Sequence, residues 1–144
     1  MGTSAQEAAR LVLVWESSMT TTINVAITRG TTDAISFTAA RYDGSIIDLN
    51  TAAEIWLTVK RSPSDADADA IFQKKKTTAG DFVLHSDPTT GLGDALLVPA
   101  DTTGLTNTRT NLVYDIKVKE SDGSIHAAQC GTLIVLPDVT TTTT

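Results

Sequence analysis

Alternating aspartates in the middle of the chain are the first candidates for chemistry. Asp65, Asp67 and Asp69 have the spacing that opens a calcium-binding loop, in which alternate carboxylates supply oxygen ligands. Such a loop also needs a glycine next and a glutamate at its twelfth position, but Ala70 and Lys76 stand there. We therefore interpret the segment as an acidic surface loop, with weak calcium binding as the alternative, and expect no metal site.

The chain has two histidines, His85 and His126, and a single cysteine, Cys130. Histidines close to an aspartate can exchange protons with a substrate, but the sequence has neither a G-x-S-x-G nor an HExxH motif. Each histidine is interpreted as a surface or hydrogen-bonded side chain, and Cys130 as a small buried apolar residue. Gly131, next to it, indicates a bulge or a close backbone contact. We expect no catalytic residue and no cofactor, so the chain is predicted not to be an enzyme.

Length and charge limit the class of protein. A chain of 144 residues with one cysteine can bury a core without disulfides, which suits synthesis in a reducing cytoplasm. The net charge of −6 argues against nucleic-acid binding, and no apolar run approaches the roughly 20 residues that span a bilayer. The basic run 74–76 is interpreted as a solvated strand end, with a contact patch for an acidic partner as the alternative.

A predicted hairpin over residues 112–136 organises the elements that position these side chains. Its first arm alternates apolar and polar residues, as half-buried strands do, and Asp122-Gly123 supplies a tight turn. Similar short segments, separated by turn residues, occur along most of the chain, which predicts an all-β fold, an antiparallel β-sandwich of about eight or nine strands. The predicted strands are 23–27, 34–41, 46–49, 54–61, 71–75, 82–86, 94–98, 112–119 and 125–136.

The first residues of the chain follow a different pattern. Ser4 and Glu7 have the spacing of a capping box, which indicates the start of a helix. Apolar side chains then recur at helical spacing, so we predict a short N-terminal helix over residues 5–16, although the run 11–15 is also compatible with a strand. The members of this apolar stripe are Ala8, Leu11, Val12 and Trp15.

The predicted organisation has three parts. Residues 1–19 form an N-terminal helical anchor or extension, residues 20–139 the β-sandwich, and residues 140–144 a threonine-rich tail. A helix this short is marginal in water by itself, so its stripe must dock either on this chain's own sandwich or on a neighbouring subunit.

An ordered series of motifs runs from about residue 23 to residue 140. It contains a D-G turn before I-D-L, a strand ending in T-V-K-R, an acidic loop, a D-P-x-T-G turn, a P-A-D-T-x-G-L connection and a final Y-D-I hairpin. In this order the motifs resemble the immunoglobulin-like N-terminal domain of the phage baseplate upper protein family. The similarity is carried by the combination, in the stretches 28–61, 87–105 and 112–140.

The resemblance implies an immunoglobulin-like sandwich that serves as a non-enzymatic structural protein of a bacteriophage virion, attaching or bridging tail, baseplate or fibre components. Relative to the family, the chain has an extra N-terminal segment and ends after its threonine run without a distal helical or receptor-binding domain. This difference favours an adaptor, a fibre-attachment protein or, as an alternative, a capsid decoration protein.

The expected partners are other virion proteins of the tail, baseplate, fibre, neck or capsid. We expect a homo-oligomer, with a trimer favoured, located in the virion after synthesis in the host cytoplasm. A further alternative is a carbohydrate-binding adhesin module that uses Trp56, which lies on the polar side of its strand; aromatic residues make up only 5% of the chain. The candidate partner-binding residues are Leu11, Trp15, Trp56, Thr141 and Thr142.

Overall fold

A computed structural model describes residues 20–87 and 89–140 of the chain. This part consists of β-strands, turns and two single-turn 3₁₀ helices, so the predicted all-β class is confirmed for it. Outside the described residues lie the predicted helix over residues 5–16 and the candidate residues Leu11, Trp15, Thr141 and Thr142.

Most strands lie at or close to the segments predicted from the sequence. In chain order they are β1 (Thr21–Thr22), β2 (Val25–Thr28), β3 (Asp33–Thr38), β4 (Glu54–Lys60), β5 (Phe72–Lys75), β6 (Phe82–Leu84), β7 (Leu92–Leu97), β8 (Thr110–Lys119) and β9 (Ile125–Leu136). The 3₁₀ helices are Asp67–Asp69, in the acidic loop, and Pro99–Asp101, in the P-A-D-T-T-G-L connection. No helix of the described ranges is long and apolar enough to cross a membrane.

The strands form two sheets around one core. The larger sheet has the order β1-β9-β8-β4-β5, with β2 also paired to β9, and the smaller sheet has the order β3-β7-β6. Alternate side chains of β4 are completely buried, namely Ile55, Leu57 and Val59. Ile35 and Leu97 of the smaller sheet belong to the same apolar cluster, so the two sheets make a sandwich.

The prediction that the sandwich is antiparallel throughout is wrong at its N-terminal edge. Strands β1 and β2 pair with β9 in parallel, with Thr22 beside Cys130 and Val25 beside Leu133. Parallel neighbours need a long crossover connection, which here is the whole intervening domain. Alternation indicates which side chains face inward but not the direction of the neighbouring strand, so the pattern carried no signal for this pairing.

The segment 46–49 was predicted to be a strand, but it makes only one isolated bridge, at Ile46. The Asp48 carboxylate accepts a hydrogen bond of 2.9 Å from the backbone N–H of Asn50, and the chain turns there. Short polar side chains that bond to nearby backbone compete with the hydrogen bonds of a sheet, which explains why the pairing stops.

The N-terminal strand is interrupted at Ile23 and Asn24, opposite Gly131. The Asn24 side chain accepts a hydrogen bond of 3.0 Å from the N–H of Thr132, while the Ile23 carbonyl accepts one of 2.6 Å from the hydroxyl of Tyr114. A Cβ atom at Gly131 would lie 2.0 Å from that carbonyl oxygen, so only glycine fits there. The predicted close backbone contact at Gly131 is confirmed.

Candidate functional site

The outer face of the larger sheet carries an open groove with a volume of about 730 Å³, which is within the usual range for small-molecule sites. Outward side chains of β4, β5, β8 and β9 form its floor, and the loop that contains the aspartates forms one wall. The groove combines an aromatic side chain with charged and amide groups, which are Trp56, Lys60, Asp67, Gln73, Asp115 and Lys117.

Strand pairing determines the order of side chains across the floor. Trp56 of β4 lies opposite Lys117 of β8, and the next outward pair is Thr58 and Asp115. On the other side of β4, Nε2 of Gln73 donates a hydrogen bond of 2.9 Å to the hydroxyl of Thr58. Successive outward residues of a strand are about 7 Å apart, so the tryptophan and the polar row stand side by side along the groove.

Asp115 is a half-buried carboxylate in the floor of this groove. Within residues 20–87 and 89–140, its side chain makes no hydrogen bond or ion pair. Removal from water raises the pKa of Asp115, the charges of Lys117 and Lys60 oppose that rise, and Asp67 adds to it. The carboxylate therefore has acceptor capacity that no described protein group uses.

The acidic loop is tied to the end of β4 through Lys60. The Lys60 ammonium lies 2.7 Å from Oδ1 of Asp67 and donates a hydrogen bond of 2.8 Å to the backbone carbonyl of Asp65. Hydrogen bonding to Lys60 lowers the pKa of Asp67. The Asp65 carboxylate accepts a hydrogen bond of 3.2 Å from the N–H of Ser62. In the described part of the chain, no three acidic, histidine or cysteine side chains are grouped so that they could hold a metal ion.

Cys130 was predicted to be buried, but it is half-buried and lines the groove. The cause is a bulge in β9, where the pairing with β8 shifts register. The consecutive residues Ala128 and Gln129 are both buried, so the inward positions change from even-numbered to odd-numbered residues at this point. Cys130 consequently faces outward, and its sulfur lies 3.7 Å from the hydroxyl of Thr22.

The two histidines lie in different surroundings. Nε2 of His126 is 2.8 Å from Oε2 of Glu120, and the same carboxylate accepts hydrogen bonds of 3.0 and 2.5 Å from the guanidinium of Arg41. His85 is exposed, and its backbone carbonyl accepts a hydrogen bond of 3.1 Å from Asn50. The interpretation of the histidines as surface or hydrogen-bonded side chains is confirmed, and no contact among the described residues joins the pair.

The basic run 74–76 was predicted to be a solvated strand end, and this is wrong for two of its members. Lys74 is buried, and its ammonium lies 2.7 Å from Oδ2 of Asp101. Lys76 donates hydrogen bonds of 3.0 and 2.6 Å to the backbone carbonyls of Asn50 and Ala52. The reason is the register of β5, in which Lys74 points inward while Lys75 stays exposed. The run is therefore mainly internal and does not form a continuous basic patch.

Trp56 lies within the described part of the chain, partly exposed and in the groove, as its outward register predicted. Asp115 was not among the candidate residues predicted from the sequence. A signal was available, since a carboxylate in the outward register of a long central strand is an uncommon residue for the middle of a sheet.

Comparisons with known proteins do not place the chain in a family. No protein-family model and no curated protein matches it. Among solved structures, it is similar to AggA, the major subunit of aggregative adherence fimbriae type I from Escherichia coli, with a TM-score of 0.25 and 13% sequence identity over 81% of this chain and 90% of that chain. A similarity this weak carries no functional argument.

Proposed function

We propose that the chain is a non-enzymatic structural protein of a bacteriophage virion, an immunoglobulin-like module that attaches or bridges tail, baseplate or fibre components. The observation that supports this best is the parallel pairing of β2 with β9, next to each other at one edge of the larger sheet. Because these strands run in the same direction, the chain enters the sandwich at one end and leaves it at the opposite end. Such a path suits a connecting module.

The separation of the two ends follows from β9. The hydroxyl of Thr20 donates a hydrogen bond of 3.4 Å to the carbonyl of Ala127, which places the start of the described chain near the beginning of β9. The last residue of β9 is Leu136. At about 3.3 Å per residue, segments that continue from these two points are held about 30 Å apart. Partners bound to such segments would be separated by the length of the sandwich.

Residues in the resembling stretches also make contacts between separate parts of the domain. Arg29 donates hydrogen bonds of 2.6 and 2.9 Å to the backbone carbonyls of Thr103 and Leu105 in the P-A-D-T-T-G-L connection. Arg41 and Glu120, beside the two D-G turns, form an ion pair. The resemblance therefore includes residues with structural roles as well as surface turns, which supports a similarity at the level of the fold.

The direct test is to look for the protein in particles. Phage particles from the strain that carries the gene are purified, probed with a gold-labelled antibody and viewed by electron microscopy, with particles from a gene deletion as the control. We expect label on the tail or baseplate. Label on the head would favour the capsid decoration alternative, and particles without the protein would contradict a virion role.

The same material tests the expected homo-oligomer. Sedimentation equilibrium of the purified full-length protein is expected to give the mass of an oligomer, with a trimer favoured. A purely monomeric protein that is nevertheless present in particles would leave the virion role in place and would contradict self-association.

A further inference from the structure

We propose that the groove on the outer face of the larger sheet binds a neutral saccharide, with Trp56 packed against a sugar ring and Asp115 accepting hydrogen bonds from its hydroxyl groups. This site goes beyond the structural role and does not depend on it. Three features of the groove support this ligand: its charge, the unused acceptor in its floor and the spacing of its aromatic and polar side chains.

The charge of the lining argues for a neutral ligand. Lys60 and Asp67 neutralise each other in an ion pair of 2.7 Å. The remaining charged groups of the lining are Asp115 and Lys117, one of each sign. A groove without net charge has no long-range attraction for an anion or a cation. It does offer an acceptor and a donor next to each other, which matches a ligand whose hydroxyl groups both donate and accept.

The floor of the groove contains a hydrogen-bond acceptor, the Asp115 carboxylate, to which no described protein group donates. Asp115 is half-buried and has no hydrogen-bond partner among the described side chains and backbone groups. A carboxylate withdrawn from water without a partner is unfavourable, and a hydroxyl that donates to it makes a charge-assisted hydrogen bond. A bound polyol therefore supplies the hydrogen bonds that the Asp115 carboxylate lacks in the folded protein.

The spacing of the side chains fits a flat ring with polar edges. Trp56 and Asp115 are diagonal neighbours on adjacent strands, which places them about 7–8 Å apart. A tryptophan offers a large, flat apolar surface on which the C–H face of a sugar ring can lie. The hydroxyl groups at the edge of that ring then reach the next row of the sheet, where Asp115, Thr58 and Gln73 stand.

The test uses the full-length protein in two steps. A glycan array is probed first, and ¹⁵N-labelled protein is then titrated with the neutral disaccharides lactose, maltose and cellobiose while its amide spectrum is recorded. We expect binding to neutral glycans, with the spectral changes confined to the residues that line the groove, in β4, β5, β8, β9 and the acidic loop. Two variants remove the proposed contacts, Trp56→Ala and Asp115→Asn, and each is expected to weaken binding at least tenfold.

The matched control is Val83→Ser, because Val83 is 54% exposed on β6 of the opposite sheet and should leave the affinity unchanged. Asp115→Asn keeps the shape of the side chain, so it tests the site even if Trp56→Ala unfolds the domain, which circular dichroism would reveal. The proposal is overturned if no neutral glycan binds, if only charged glycans bind, or if Asp115→Asn binds as tightly as the unaltered protein. Particles that carry the Asp115→Asn protein separate this outcome from the virion role, which does not require the groove.

Discussion

The hydroxyl of Tyr114 donates a hydrogen bond of 2.6 Å to the backbone carbonyl of Ile23 and so connects the centre of the β8–β9 hairpin to the N-terminal strand. Nε2 of Gln129 donates a hydrogen bond of 3.0 Å to the same hydroxyl. Both side chains are almost completely buried, and burial raises the pKa of Tyr114, which keeps the phenol protonated. The result is a buried polar chain that attaches the N-terminal strand to the hairpin.

Replacing Tyr114 by Phe should destabilise the domain by about 1–3 kcal/mol, because the Ile23 carbonyl and the Gln129 amide lose their partner inside the protein. Urea unfolding measures the change. Adding Gln129→Met to the Tyr114→Phe variant should lower the free energy of unfolding only slightly further, because the Gln129 amide has already lost the Tyr114 hydroxyl. If the two single effects simply add, the three groups do not form a coupled network.

Replacing Gly131 by Ala should displace the N-terminal strand. The added Cβ would lie 2.0 Å from the Ile23 carbonyl oxygen and 2.7 Å from its carbon, so the backbone of Ile23 must move. We expect a loss of about 1–3 kcal/mol, as for other overpacked sites. The rate of hydrogen exchange should increase most at the Ile23 amide. In the unaltered protein this amide donates a hydrogen bond of 2.9 Å to the Cys130 carbonyl.

The matched control for this substitution is Gly104→Ala. A Cβ at Gly104 meets nothing within 4 Å, and its backbone is outside the left-handed region. This variant should be neutral or slightly stabilising, by up to about 1 kcal/mol, because alanine restricts the unfolded chain. Equal destabilisation by the two substitutions would show that the close contact with Ile23 is not the cause.

Most of the sandwich could be predicted from side-chain alternation. The inward positions of β8, which include Leu112 and Tyr114, and the outward position of Trp56 follow directly from period two. The parallel edge could not be predicted, because the pattern of β2 is the same for either direction. The bulge at Ala128 could not be predicted from the sequence either, because it is defined by the pairing of β9 with β8.

The candidate site was predicted less completely than the fold. Trp56 was identified because an aromatic residue in an outward register is conspicuous. Asp115 is of interest because its carboxylate has no hydrogen-bond partner among the described residues. Such partners are determined by tertiary packing, so this could not be predicted from the sequence. Lys74 illustrates the same limit, since a lysine in a basic run looked solvated until the connection between β7 and β8 brought Asp101 to it.

Glu120 should make stability depend on pH in the acid range. The hydrogen bonds and charge of Arg41 lower the pKa of Glu120 in the folded state, with a smaller contribution from His126. A lowered pKa contributes stability above the unfolded value, about 4.3, and the contribution is lost as the pH falls through the folded value. Glu120→Gln should therefore lower the free energy of unfolding by about 0.5–1 kcal/mol at pH 7 and leave it almost unchanged below the folded pKa of Glu120.

Urea midpoints of both proteins between pH 7 and the acid limit of folding measure this effect. Raising the salt concentration should reduce the difference at pH 7, because the pair lies at the surface. A difference between the two proteins that stays constant with pH would show that Glu120 acts through packing and not through its charge.

Asp115 should show the opposite dependence on pH. Its pKa is raised, mainly by removal from water, so in the folded state the charged form is disfavoured. Its contribution to stability is present below the unfolded pKa and is lost as the pH rises through the folded pKa. Asp115→Asn should therefore stabilise the domain by about 0.5 kcal/mol at pH 7 and lose this advantage in acid. A destabilised variant at pH 7 would indicate that the carboxylate has a structural partner.

Lys74 and Lys75 provide a paired test of internal charge. Lys74 is 9% exposed in its side chain and lies 2.7 Å from Asp101, which is 12% exposed, while the neighbouring Lys75 faces solvent. Lys74→Met leaves the Asp101 carboxylate buried without its cation, so we expect the free energy of unfolding to fall by about 3–5 kcal/mol. The N–H of Val98 still donates a hydrogen bond of 2.8 Å to this carboxylate, which reduces the loss. Lys75→Met removes the same charge from the surface and should change stability by less than about 0.5 kcal/mol. Thermal unfolding of both variants at neutral pH compares them directly. Similar melting temperatures would mean that water reaches the pair and that its burial does not determine its strength.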